Sequence, residues 1–306
     1  MKLARRARSA QPFHAMSLNA RAREIEAEGG DVAKLSLGEP DFGAPPGVHE
    51  AMRATMDGRP LPYTPAAGLL ALRQAVANLY ASRHGVDVDP RNILITAGAS
   101  AGLLLAIALT TESGDDVIMA DPCYPCNREL VEAFGGRVVL APTNAASRYQ
   151  LDVRTMTQVW TSSTNAIVLA TPSNPTGTTI PFDELVRICR EARARGAWRI
   201  VDEIYLSLAD PDAGGRPART ALETDREVMI VSSFSKYFGM TGWRLGWLVL
   251  PDELLAAADN LAVNFFLCAS APTQMAALAC FTPEALASCE ARRVELVARG
   301  ESPWTV

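Results

Sequence analysis

The sequence predicts an α/β fold in which a largely parallel sheet is covered by helices on both faces. Three observations predict it. Short β-branched runs alternate with longer helical patterns, no internal repeat breaks the alternation, and polar or glycine-rich segments recur at the ends of the strands. Thr64-Pro65 offers an N-cap and a proline at the first helical position, and Leu69, Leu72, Val76, Leu79 and Tyr80 then recur at helical spacing up to Gly85. A strand over 92–96 leads into an apolar helix over 99–109, which Gly114-Asp115 follows as a break. A strand over 117–120, a turn at Asp121-Pro122, a helix over 127–134 and a strand over 137–141 come next. Then follow a strand over 166–170, a helix over 182–195 and strands over 198–201, 228–232 and 245–250, with helical sequence from Pro251 onward.

In such sheets ligands collect at the carboxyl ends of the strands. Gly98-Ala99-Ser100, Asp121-Pro122-Cys123-Tyr124, Ser173-Asn174-Pro175, the stretch 202–205 and the stretch 233–236 all fall there, so one cleft can gather all five.

Composition narrows the function. With 48% apolar and 21% charged residues the chain has ample material for a core, which excludes disorder as its main state. Lys plus Arg total 29 against 34 Asp plus Glu, a net charge of −5 that gives no global attraction to nucleic acid. The longest weakly polar run, 96–109, is too short to span a bilayer, so no membrane association is expected. Lys2, Arg5, Arg6, Arg8, Arg21 and Arg23 precede the first acid, Glu24, without a signal-peptide core after them. This leaves a cytoplasmic location as the expectation and an organellar transit segment as the alternative. Six cysteines, mostly among apolar neighbours, fit a reducing compartment. Cys123-Tyr124-Pro125-Cys126 has redox-motif spacing but lacks a thioredoxin-like context, and His14, His49 and His84 are too scattered to predict a metal site.

The stretch Ser233-Phe234-Ser235-Lys236, followed by Arg244 eight residues after the lysine, is chemically unusual. A lysine directly after a buried strand must be desolvated or paired, and the serine and arginine around it supply anion contacts. Taken singly, each notable residue also has an ordinary reading. Lys236 can snorkel from a strand end, Asp202 or Ser100 can cap a helix, Tyr205 can pack in the core and Tyr63 can line a turn.

Together the residues resemble the class I/II aminotransferases, which are fold-type I pyridoxal 5′-phosphate (PLP) enzymes. The resemblance rests on the lysine stretch and on five further blocks in the family's order: Leu37-Gly38-Glu39-Pro40-Asp41-Phe42, Tyr63-Thr64-Pro65-Ala66-Ala67-Gly68, Ser173-Asn174-Pro175-Thr176-Gly177, Asp202-Glu203-Ile204-Tyr205 and Met240-Thr241-Gly242-Trp243-Arg244. It covers residues 12–283 and implies an α-β-α sandwich with a mostly parallel seven-stranded sheet.

The resemblance also implies roles. Lys236 is similar to the lysine that forms a Schiff base with PLP and shuttles the α-proton, and Asp202 to the carboxylate that keeps the pyridine nitrogen protonated. Tyr205 and Asn174 resemble the donors to the ring oxygen, and Tyr124 the stacked aromatic ring. Gly98, Ala99, Ser100, Ser233 and Arg244 are similar to the phosphate site. Gly38 and Asn174 resemble the substrate contacts. Tyr63 resembles a tyrosine that reaches the phosphate across a dimer interface, which implies a homodimer, and the Asn174-Pro175 bond resembles one that is cis in the family. The implied reaction exchanges an amino group between an L-amino acid and a 2-oxo acid. Ser100 stands where some relatives that favour acidic substrates have a lysine. Two other readings share these blocks: another PLP reaction such as a β-lyase or decarboxylase, and a non-catalytic PLP-binding protein.

Residues 1–45 are read as an N-terminal arm and small-domain segment, 46–282 as the PLP-binding large domain and 283–306 as a linking helix with an incomplete small domain. That helix is expected from near Pro283 through Leu286, Val294 and Val297, with 299–306 not reading as its continuation. No residue is assigned to clamp the substrate α-carboxylate, so weak turnover and reduced stability are expected.

Overall fold

A computed structural model describes residues 1–211 and 215–301. The helices, in chain order, are α1 (Arg5–Ser9), α2 (His14–Ala27), α3 (Pro46–Ala54), α4 (Leu70–His84), α5 (Ala99–Thr110), α6 (Pro125–Ala133), α7 (Val153–Gln158), α8 (Phe182–Ala194), α9 (Leu255–Phe266), α10 (Ala271–Ala277) and α11 (Pro283–Glu301). The strands are β1 (Ile93–Thr96), β2 (Asp116–Asp121), β3 (Arg137–Pro142), β4 (Thr164–Ala170), β5 (Trp198–Asp202), β6 (Met229–Ser233) and β7 (Gly246–Val249). They form one sheet in the order β1-β7-β6-β5-β4-β2-β3. Neighbours are parallel except β7, which runs antiparallel to both β6 and β1. The expected α/β fold with a mostly parallel seven-stranded sheet is therefore present.

Strand alternation divides the apolar residues between two cores. Ile93, Ile95, Ile118, Ile167, Val201, Ile230 and Trp247 pack on one face with α4 and α8. Leu94, Val117, Met119, Val168, Ile200, Val231 and Leu248 pack on the other with α5 and α9. Helix α5 is apolar nearly all round, as a helix wedged between sheet and outer helix must be.

The structure departs from expectation at Thr64-Pro65, which begins no helix. Helix α4 starts at Leu70 after a turn closed by Gly68 N–H donating to Pro65 O. Gly68 takes φ +88°, a conformation that interrupts a helix, and a Cβ there would lie 2.5 Å from Ile95 Cβ. Gln274 holds the turn: its Oε1 accepts from Leu69 N–H and its Nε2 donates to Thr64 Oγ1. The linking helix begins at Pro283 as expected but continues through Arg299 to Glu301, which corrects the reading of those residues as a break. The reading of 302–306 lies outside the described residues. Among the described residues no helix is long and apolar enough to cross a membrane.

Strand β5, which ends in Asp202, carries a buried ion pair. Arg199 donates from Nε and Nη2 to the two carboxylate oxygens of Asp225, at 2.9 and 3.0 Å. Both side chains are almost fully buried. Removing Asp225 takes both short carboxylate contacts from a buried guanidinium and leaves it Glu227 at 3.6 Å and the Ala197 carbonyl, whereas removing both partners leaves no buried charge. Asp225→Ala should therefore cost up to about 3–5 kcal/mol in urea denaturation. The pair Arg199→Met with Asp225→Leu should recover most of that loss.

Candidate active site

The reversal at β7 makes β1 parallel to β6, so the carboxyl ends of β1, β2, β4, β5 and β6 share one edge of the sheet. The five segments expected to share a cleft are all there. Gly98 caps α5 just after β1 with φ +83°. A Cβ on Gly98 would lie 2.5 Å from Arg244 Nη2, and one on Gly246 would lie 2.9 Å from Ala99 N. Only glycine permits this approach. It sets a guanidinium beside the first turn of α5, whose leading N–H groups have no acceptor within the helix. Arg244 itself has φ +52° and donates to Thr241 O at 3.1 Å. Ser233, at the end of β6, pairs in register with Gly246, and its Oγ accepts from Ser235 N–H.

On the adjacent strand Asp202 is buried, and its Oδ1 accepts from Ile204 N–H at 3.0 Å. Burial pushes its carboxyl up to about 6, against the pull of that hydrogen bond. Tyr205 is half-buried; burial pushes its phenol pKa up, and the amide of Asn174, whose peptide bond to Pro175 is cis, opposes that shift. Tyr124 lies close enough to Tyr205 and Asp202 to feel both electrostatically, and Phe13 packs edge-on against its ring at 5.7 Å.

Lys236 Nζ sits 5.7 Å from the Tyr205 ring centroid and donates to Gly38 O at 2.9 Å. Burial lowers the pKa of its amine, Glu39 opposes that shift and Arg244 reinforces it. Tyr63 is 80% exposed.

The donor set fits PLP on this structure's own geometry. Arg244, Ser233 and the start of α5 form an anion cradle that a single added Cβ would fill. Asp202 is a buried carboxylate that lacks a cationic partner among the described residues, and Lys236 is an amine partly withdrawn from water.

Residues with no role assigned from sequence support this edge from behind or flank it. Glu203, next to Asp202, is buried and accepts from Thr220 Oγ1 and Ala221 N–H, each at 2.8 Å. Strand alternation, which turns neighbouring side chains to opposite faces, was the available signal. Phe13, Arg292 and Arg299 gave no local signal at all.

Burial pushes the Glu203 carboxyl up to about 8, which exceeds the stabilising pull of its two hydrogen bonds. A carboxyl raised in the folded state costs stability as pH rises from its unfolded value through its folded one. Relative to the parent, Glu203→Gln should gain stability between about pH 5 and pH 8. Urea midpoints measured across that range check this, and a constant difference would contradict it.

The family described as aminotransferase class I and II matches residues 30–299. The valine–pyruvate aminotransferase of Mycobacterium tuberculosis is 40% identical over 279 residues, covering 91% of this chain and 71% of that protein. The (5-formylfuran-3-yl)methyl phosphate transaminase of Methanocaldococcus jannaschii is 32% identical over 286 residues, covering 92% and 73%. The structure of Thermus thermophilus aspartate aminotransferase with maleate superposes with a TM-score of 0.92 at 29% identity, covering 98% of this chain and 78% of that one. A shared fold, the ordered site segments and this breadth of similarity lead to one conclusion: the chain is an enzyme of the class I and II aminotransferase family.

Proposed function

We propose that this enzyme uses PLP, held at the strand edge, to exchange an amino group between an L-amino acid and a 2-oxo acid, with Lys236 as its reactive amine. The observation that carries this reading is the convergence of Lys236, Asp202 and the Gly98–Arg244 cradle at one edge of the sheet. Bound there, PLP supplies an aldehyde that exchanges amines and a pyridinium ring that withdraws electrons from the reacting bond.

The chain's own groups supply the rest. Lys236 Nζ, neutral more readily because it is partly buried, takes the proton from the substrate α-carbon and returns it. Asp202 holds a proton at the ring nitrogen. Its carboxyl, raised by burial alone, is stabilised as an anion once that cationic partner is present. Asn174 and Tyr205 would hold the ring by hydrogen bonds, and Tyr124 would pack against it. The start of α5, Ser100, Ser233 and Arg244 hold the phosphate. Gly38 and Asn174 orient the substrate carboxylate.

We read the substrate as a monocarboxylic amino acid rather than aspartate. Ser100 offers no cation for a second carboxylate, and the relative at 40% identity is named for valine and pyruvate. A homodimer is part of the proposal. Exposed Tyr63, Leu70, Met275 and Leu278 lie on segments that Gln274 ties together. Residues 1–45 serve in it as N-terminal arm and small-domain segment, 46–282 as the large domain and 283–306 as linking helix and small-domain segment, of which 302–306 lie outside the described residues. The cysteines, all six unpaired, accord with a cytoplasmic setting.

Lys236→Ala should abolish the visible absorption that PLP gains on binding and reduce transamination at least about a hundredfold. A preserved band would remove Lys236 from this role. Arg244→Ala should weaken PLP binding by about 1.5–3 kcal/mol, the value of a hydrogen bond to a charged group. Fluorescence titration of the cofactor-free enzyme checks it, and unchanged affinity would place the phosphate elsewhere.

A further inference from the structure

Residues 38–43 pass between the loop that carries Lys236 and helix α11. On the inner side the approach is limited by backbone. Gly239 has φ +64°, and a Cβ there would lie 2.7 Å from both Gly43 O and Phe42 O. On the outer side two arginines of α11 close on the same stretch. Arg292 Nη1 donates to Gly43 O at 2.6 Å, and its guanidinium lies 5.5 Å from the Phe42 ring centroid. Arg299 pairs with Asp41 at 2.8 Å and with Glu295, and its guanidinium lies 5.1 Å from the same ring. Phe42 thus carries two cations on one ring, each anchored by a hydrogen bond to the stretch itself or to its neighbour Asp41.

Gly38, at the other end of this stretch, is exposed and has no side chain with which to fix itself. A Cβ on it would touch nothing within 4 Å. Its carbonyl nevertheless accepts from Lys236 Nζ at 2.9 Å. The hold on Gly38 is therefore transmitted along the chain from Asp41, Phe42 and Gly43, which are gripped by α11 and backed by Gly239.

We propose that Arg292 and Arg299, acting through Phe42, are positioning residues that hold the Gly38 carbonyl against the Lys236 amine. This rests on the reading of Lys236 as the amine that takes PLP. An ammonium is favoured by a carbonyl acceptor, so a gripped Gly38 favours the protonated amine and a loosened one favours the neutral amine. The other charged or titratable groups facing Lys236 are Glu39 from the same stretch, Arg244 from the loop before β7 and Tyr205 from the end of β5. None of them belongs to the arginine grip.

The test is the pH dependence of PLP capture by the cofactor-free enzyme, followed as the rate of appearance of the visible band. Only the neutral amine captures the aldehyde: its nitrogen bonds to the aldehyde carbon, and one water leaves with the aldehyde oxygen. In Arg292→Met, Arg299→Met and Phe42→Leu the midpoint of the profile should move to lower pH, by up to about one unit if the charged hydrogen bond is lost. Arg292→Lys, which keeps a charged donor, should move it less. If a methionine variant fails to fold by urea denaturation, Phe42→Leu and Arg292→Lys read the same profile. Midpoints equal to the parent's, or a uniform slowing with no change of midpoint, would overturn the proposal. Lys236→Ala serves as the control: a band that still forms in it refutes the assignment of Lys236 itself, whereas a silent control with unmoved variants refutes only the grip.

Discussion

Strand direction is the constraint on which everything else in this molecule depends. β7 runs against both of its neighbours, and that single reversal returns β1 to the direction of the parallel set. With β7 parallel to β6 and the same edge pairing, Gly98 and the start of α5 would emerge at the far side of the sheet. As it is, a helix N-terminus from one end of the sheet meets an acid from its middle and a lysine from the strand between them. The glycine contacts then convert proximity into a fitted cradle. Gly98 and Gly246 let two backbones and a guanidinium occupy a space in which any side chain would collide.

The electrostatics of that edge are costly to the isolated chain. Asp202 is a buried carboxylate with one hydrogen bond among the described residues, and Lys236 is an amine partly removed from water. Both are poorly matched to their surroundings, yet each is suited to a cofactor that presents a cationic ring and an aldehyde. Glu203 illustrates the opposite arrangement one residue away. Its two oxygens are each satisfied, and it ties the Thr220 hydroxyl and the Ala221 backbone to the end of β5. Neighbouring acids thus divide their work by face: one left short of partners toward the cleft, one fully bonded toward the scaffold.

Much of this was legible in the sequence, for physical reasons that differ by element. Strand-helix alternation and the apolar character of α5 are local, so the fold class and most element positions could be read directly. The chemistry-bearing residues could be read because each sits in a short block at a strand end. The reversal of β7 could not be read, since a fully buried strand has the same apolar pattern in either direction. Thr64-Pro65 misled because a good N-cap pair is overridden at Gly68, where φ is +88° and Ile95, 27 residues on, leaves no room for a Cβ. The grip of Arg292 and Arg299 on Phe42 joins residues that are roughly 250 positions apart, beyond the reach of any local pattern.

The β1–β7 pairing also orders events during synthesis. β1 lies at the edge of the sheet with β7 as its one neighbour among the described residues, matching residues 93–96 to 246–249. A ribosome must therefore translate past Val249 before β1 has any strand to join. Until then the apolar faces of α4 and α5, on either side of β1, lack their final covering, and contacts this distant in sequence form late. The β1 edge of the sheet thus waits for the last strand, and the approach of Arg244 to Gly98 comes into being only when β7 closes the sheet.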